Sequence, residues 1–342
     1  MDDERLVVLR LLEQGKITAE EAAELLQALD AGQAPPVGPA AAPAQPPAAA
    51  AAAAASPASA VRVSLLEGIE RLLDSLAGVL GETRRYETVV EGSFSPGRRP
   101  VRVVLHSFNG RIQVCGWERP TYRLELVKEV RARTEEAARR LAEAMGRVTR
   151  GDEFLAVESE RRGPGGMKVT CWLPQDLSCE LEARSSNGRI VVEGITAQRM
   201  RLATTNDRVE VSGGRLGDAD IETSNGRIVV AGPAERVRAR TSNDRIDVIP
   251  PGGVAAGTWD LETSNARVTV ALAAGTPVRL DLATRNAPIR LSVDPLIYEI
   301  NEKGHHSRVV AATPGGGPGT GVQLRVRTSN DVIRVEAVGT GD

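Results

Sequence analysis

SSNGRIVV at residues 185–192, TTNDRVEV at 204–211 and TSNGRIVV at 223–230 are one phrase written three times. Four more copies follow: TSNDRIDV (241–248), TSNARVTV (263–270), TRNAPIRL (284–291) and TSNDVIRV (328–335). Each copy centres on an asparagine: Asn187, Asn206, Asn225, Asn243, Asn265, Asn286 and Asn330. Neighbouring asparagines are 19, 19, 18, 22 and 21 residues apart, and the last gap is 44, or about two periods. A period of roughly 20 residues with strand-type patterning marks a solenoid, in which each repeat contacts only its neighbours. Such a molecule offers long repetitive faces, which favour binding and assembly over a single catalytic pocket.

Counting from each Asn gives the repeat its inside and outside. Six and four residues before it stand apolar residues, as in Leu181 and Ala183, Val237 and Ala239, or Trp259 and Leu261. Three and five residues after it stand Ile190 and Val192, Val209 and Val211, Ile228 and Val230, and their counterparts. Two before comes a Ser/Thr column: Ser185, Thr204, Thr223, Thr241, Thr263, Thr284 and Thr328. Period two on both sides of the Asn makes each repeat two short strands meeting at a corner. The expected fold is an all-β parallel β-helix.

The outward column five before the Asn reads Glu182, Arg201, Asp220, Arg238, Asp260, Asp281, Arg325. Equivalent residues in parallel register stack about 4.8 Å apart, so alternating charge favours stacking. Each exposed pair contributes roughly 0–1 kcal/mol, so the column specifies register more than stability. The Asp281 coil breaks the alternation beside Asp260. At the corner, Asn suits a stacked polar turn, and Gly188 and Gly226 are expected to supply positive φ. A ligand-binding ladder is the other reading of the same asparagines.

Outside the repeats, residues 1–30 have the pattern of a helical hairpin. Leu6, Leu9 and Leu12 form one face, Gly15 stops the first helix, and Thr18 with Glu21 forms a capping box for the second. Thirty residues bury too little surface to stand alone, so this hairpin is expected to dock or to join protomers into a homo-oligomer. Residues 31–60 are an Ala/Pro-rich linker, and 61–81 hold an amphipathic helix too often charged to span a membrane. The β-helix domain is assigned to 85–342. An eighth, earlier copy centres on Asn109, and the pattern then predicts a strand at 122–130, a helix at 134–147 and strands near 154–158 and 168–173. Pro295–Gly321 replaces an ordinary coil and is the most individual surface of the chain.

Composition narrows the function. The 342 residues carry 43 Lys+Arg against 45 Asp+Glu, which gives no global pull towards nucleic acid or anionic membrane. Cys115, Cys171 and Cys179 show no CxxC spacing, and with three His a zinc site has few ligands to draw on. No P-loop, dinucleotide fingerprint or nucleophile elbow appears, so no cofactor is expected. The acidic start MDDER is unlike a signal peptide, which makes the cytoplasm the default location.

The tandem SSNGRI/TSNGRI phrases, the lead-in Cys171-Trp-Leu-Pro-Gln-Asp-Leu and the helix-interrupted segment before it resemble the bacterial putative-adhesin family of β-strand-repeat proteins, especially its YvlB/LiaX-like members. Gly15-Lys-Ile-Thr-Ala-Glu-Glu-Ala is similar to the SHOCT-like hairpin at the N-terminus of such proteins. The resemblance covers residues 1–30 and 85–340. It implies a right-handed parallel β-helix, surface exposure or a part in cell-envelope stress response, and no catalytic residue.

Two residues after the Asn, Arg189, Arg208, Arg227, Arg245 and Arg267 form an outward column, with Arg111 in the early copy. Stacked guanidiniums match a polyanion such as a teichoic acid of the envelope, or nucleic acid. Asp207, Asp244, Glu210 and Asp247 lie in the same coils and could instead neutralise it. A polysaccharide-active enzyme is a further reading, with Asp207 and Asp244 two coils, or roughly 9.6 Å, apart. Both have a simpler role in the turn, so the expectation is a non-enzymatic protein that binds an envelope polymer or protein. A cytoplasmic self-assembling scaffold is the alternative.

Overall fold

Each repeat folds as its columns require. Residues before the Asn run along one strand, the Ser/Thr–Ser/Thr–Asn segment turns, and residues after it run along a second strand. The computed structural model describes residues 82–95, 97, 99–159, 165–249 and 256–339. The hairpin expected at 1–30, the linker at 31–60 and the helix at 61–81 lie outside the described residues.

The lead-in comprises β1 (Glu82–Gly92), β2 (Val101–His106), β3 (Ile112–Trp117), β4 (Tyr122–Ala132), α1 (Glu135–Ala144), β5 (Arg147–Gly151), β6 (Phe154–Glu158) and β7 (Gly165–Pro174). Five coils follow: β8 (Cys179–Arg184) with β9 (Ile190–Glu193), β10 (Ala197–Ala203) with β11 (Val209–Ser212), β12 (Leu216–Glu222) with β13 (Ile228–Ala231), β14 (Ala234–Thr241) with β15 (Ile246–Val248), and β16 (Gly257–Thr263) with β17 (Val268–Ala273). The remainder is β18 (Val278–Thr284), β19 (Ile289–Ser292), β20 (Ile297–Glu302), β21 (Ser307–Ala312), β22 (Val322–Thr328) and β23 (Ile333–Val338).

Among the described residues these strands form two long sheets, one of 12 strands preceding the corners and one of 11 following them. The coils stack in parallel, in register, so the chain is the β-helix its columns describe. Val209, for example, lies between Ile190 and Ile228, and Leu202 between Ala183 and Ile221. The four apolar columns interleave into one core that includes Trp259, Leu181, Met200 and Ile190, each 2% exposed or less. Trp259 stacks beside Val237, and its indole N–H donates to the Ala234 carbonyl at 3.2 Å.

Spatial order departs from chain order at both ends. The last coil of the chain, β22–β23, sits between the β16–β17 and β18–β19 coils. The gap of 44 residues is therefore an excursion to the end of the stack and back. This corrects the reading of Asp281 as a fault in the charge column. Arg325 lies between Asp260 and Asp281, and the stacked order Glu182, Arg201, Asp220, Arg238, Asp260, Arg325, Asp281 alternates without a break. Similarly, the β2–β3 coil lies between β6–β7 and β8–β9. Facing residues oppose in sign along these strands: β12 shows Asp218, Asp220 and Glu222 outward, and β14 shows Arg236, Arg238 and Arg240 opposite them.

The ends are closed differently. At the first, β4 and β1 extend the 11-stranded sheet in antiparallel fashion, and β5 extends the other. The expected interrupting helix is α1, capped by the Thr134 hydroxyl, with Ala138 and Ala142 buried in the common core. The β region begins at Glu82, four residues before Tyr86 and three before the assigned start of the domain, because β1 pairs along its full length with β4. At the other end, 295–321 does not stand in for a coil. Its β20–β21 hairpin folds antiparallel onto β18 and caps the 12-stranded sheet alone.

A terminal coil can usually be lost from a solenoid at the cost of one interface. Here, deleting residues 322–342 removes a coil from inside the stack and exposes two interfaces. We expect cooperative thermal unfolding, followed by far-UV circular dichroism, to be abolished, whereas a truncated chain melting near the parent's temperature would refute the intercalated order.

Candidate functional site

The Asn corner runs along one edge of the solenoid, where three hydrogen-bond ladders meet. The buried hydroxyl two before each Asn donates to the carbonyl one after the Asn of the adjacent coil: Ser185 to Gly110, Thr204 to Gly188, Thr223 to Asp207, Thr241 to Gly226, Thr263 to Asp244, Thr328 to Ala266, all at 3.0–3.2 Å, and Thr284 to Asp331 at 3.4 Å. Outside it, each Asn Nδ2 donates to the Oδ1 of the previous coil's Asn. The order is Asn187 to Asn109, then Asn206, Asn225, Asn243, Asn265, Asn330 and finally Asn286, at 2.6–2.9 Å. Backbone amides complete the corner, as when Thr205 and Asn206 both donate to the Ser186 carbonyl.

The corner glycines serve close approach, in place of the positive φ expected for them. Neither Gly188 nor Gly226 has positive φ, but a Cβ at either would collide with the preceding coil's carbonyl, that of Gly110 or Asp207. Left-handed glycines instead occupy the following bend, at Gly194 and Gly213. Asp207, Asp244 and Asp331 fill the corner slot by turning Oδ1 onto the next backbone amide, at 2.6–2.7 Å. Their carboxylates are thus engaged in the turn, and one glycine coil separates Asp207 from Asp244.

The arginine column is brought together and extended. Strand pairing places Lys168 and Arg111 before Arg189, Arg208, Arg227, Arg245 and Arg267, so seven consecutive coils carry a cation. Lys168 escaped the sequence reading because its coil is out of order and lacks the Asn. The signal was Lys168-Val169, a cation followed by a β-branched residue, which matches the Arg-Ile pair of the phrase.

The column divides electrostatically. Asp247 holds Arg227 at 2.7 Å and approaches Arg245 at 3.4 Å, and Glu210 pairs with Arg208 at 3.2 Å. Lys168 pairs with Glu129 at 3.0 Å. Among the described residues no carboxylate pairs with Arg111, Arg189 or Arg267. The Nε atoms of Arg189, Arg208 and Arg245 are buried without a hydrogen-bond acceptor, the Arg245–Asp247 contact having ion-pair distance but not hydrogen-bond geometry. Orphaned charged donors of this kind are uncommon and mark a place for water or an anion. Of these three arginines, Arg189 lines a depression of about 370 Å³ together with Asn109, Arg111, Asn187 and Asp207.

The cysteines take no part in this edge. Their thiols are free, and burial pushes Cys179 up to about 12 and Cys171 higher still, which suppresses the reactive thiolate in both. Among the described residues there is no cluster of metal-ligating side chains, and no helix is long and apolar enough to cross a membrane.

In comparison with known proteins, residues 3–34 match the SHOCT-like domain family. No curated protein shows a significant match. Among solved structures, the chain is similar to a "putative cell adhesion protein" from Clostridium sporogenes, with 10% identity over 75% of this chain and 100% of that one, at a TM-score of 0.36. It is also similar to a "putative adhesin" from Bacteroides fragilis (9% identity, 73% and 97% covered, TM-score 0.35) and a "putative lipid binding protein" from Parabacteroides distasonis (9%, 75% and 95%, 0.33). At these identities the likeness transfers no residue role.

The two side-chain ladders differ in consequence. Thr241→Val leaves the Gly226 carbonyl without its buried donor and is expected to cost about 1–3 kcal/mol. Asn225→Ala removes two solvent-exposed bonds, and its cost is expected to be the smaller, about 0.5–1.5 kcal/mol. Urea unfolding of both variants checks the order, and a larger loss for Asn225→Ala would reverse the assignment.

Proposed function

We propose that this chain is a non-enzymatic binding protein whose Asn–Arg edge takes an extended anionic partner. The observation that carries this reading is the run from Arg111 to Arg208, where guanidiniums recur at every coil, two lack a carboxylate and two bury an unsatisfied Nε. The ladders fix the cation spacing at about 4.8 Å, so a flexible polymer can adjust its charges to a rigid row. Arg227 and Arg245 share Asp247, which separates the adjacent unpaired Arg111 and Arg189 from the isolated Arg267 and places the proposed contact on the first run. The corner carboxylates support binding over hydrolysis, because each already accepts a backbone amide.

The resemblance to envelope proteins makes an envelope polyanion the partner to try first, and the SHOCT-like segment at 3–34 the place where protomers would join. Self-assembly as a cytoplasmic scaffold is the competing reading. Protease treatment of intact and lysed cells separates them: cleavage of the β-helix on intact cells supports the envelope role, and cleavage only after lysis supports the scaffold.

Binding of polyphosphate to the full chain is expected to weaken steeply with salt. Arg111→Ala with Arg189→Ala should lower affinity at least tenfold at low salt and reduce the log–log salt slope by about 2. Binding unchanged by salt or by this double substitution would overturn the proposal.

A further inference from the structure

The two sheets do not end together. Beyond β18 the 12-stranded sheet continues through β21 and β20, whereas the 11-stranded sheet stops at β19 with no described strand on its outer side. The space between β19 and the hairpin is a cavity of about 520 Å³, bordered by Asn286, Ile289, Leu291, Tyr298 and Val309. Ile289 and Leu291 occupy the two columns that are no more than 1% exposed from Ile190 and Val192 through Ile333 and Val335, yet here they are only partly buried. Tyr298, which lines the same cavity, is 48% exposed.

The polar groups tell the same story. Every other Asn in the ladder accepts a bond from the next coil, but Asn286, the last, donates to Asn330 and among the described residues has no donor for its own Oδ1. The amide that follows the outward cation donates to the next coil in seven successive coils, from Val169 through Val268, and at Ile289 no next coil exists among the described residues. On the outward face, Arg290 stacks beside Arg334, whose charge is taken by Glu336, while Arg290 itself has no ion pair among the described residues. The other free edge differs. β1 is studded with Glu82, Arg84, Arg85, Glu87 and Glu91, the charged protection typical of an edge that stays unpaired.

We propose that β19 is a strand-addition site for an extended peptide segment of a partner protein. The vacancy states its sequence: a side-chain amide to meet Asn286, β-branched residues three and five positions later to cover Ile289 and Leu291, and an acidic residue between them facing Arg290. Main-chain pairing along β19 gives the affinity, and the alternating side chains give the selection. The chain's own phrase TSNDRIDV, with Asp247 at the acidic position, has this form.

A fluorescein-labelled peptide of residues 241–249, TSNDRIDVI, titrated with the full chain by fluorescence anisotropy, tests the site. Saturable binding is expected, weakened at least tenfold by Leu291→Glu in the protein or by scrambling the peptide. Arg290 is exposed and can be reversed without burying a charge: Arg290→Glu should lose the parent peptide and recover a peptide with Lys in place of the aspartate equivalent to Asp247. Equal binding of the scrambled peptide, or binding indifferent to both substitutions, would overturn the proposal. So would self-association of the parent chain that Leu291→Glu abolishes, because the slot would then belong to a second copy.

Discussion

One buried hydroxyl per coil holds the molecule in register. The Ser or Thr two before each Asn is enclosed by the core columns and finds its acceptor on the neighbouring coil, so a coil shifted by one residue would bury that hydroxyl unpaired. From this constraint the rest follows. The apolar columns meet their counterparts, the asparagines come within 2.6–2.9 Å of one another, and the outward charges fall into rows of alternating sign. The exposed charges add little energy, but they penalise the wrong neighbour.

That penalty explains how the chain can place its coils out of sequence. After β17 the polypeptide leaves a gap, builds β18–β19 and the capping hairpin, and returns to fill the gap with β22–β23. Asp260 and Asp281 would repel as neighbours, and Arg325 between them relieves both. At the other end β6–β7 and β8–β9 enclose the earlier β2–β3 coil. Neither end of the repeat array is made by a simple first or last repeat.

The strand content, the inward columns and the corner were legible because period two and a 20-residue repeat leave a direct imprint on residue type. Spatial order was not, since a period counts positions along the chain and says nothing about which coil is next in space. The aspartate pair at 260 and 281 carried the missing information and read as an irregularity. The role of Gly188 and Gly226 was hidden for a related reason: the atom that excludes a Cβ there belongs to a residue in another coil. The arginine column was visible, but which of its cations are paired and which (Arg111, Arg189 and Arg267) are not depends on the side-chain geometry of Glu129, Glu210 and Asp247. The unfilled slot at β19 depends on one sheet being shorter than the other, which no local pattern encodes.

The order of the coils governs the charge rows, the position of the hairpin and the open edge at β19, so it is the claim to test first. Cysteine pairs at outward positions, placed in a background lacking Cys115, Cys171 and Cys179, report it by oxidation and mass spectrometry. Adjacent parallel strands put facing Cα atoms about 5 Å apart, within disulfide reach, whereas strands two apart lie at roughly 9.6 Å. The intercalated order predicts that Asp260→Cys with Arg325→Cys, and Asp281→Cys with Arg325→Cys, each form a crosslink, while Asp260→Cys with Asp281→Cys does not. A disulfide in that third pair, with none to position 325, would contradict the account.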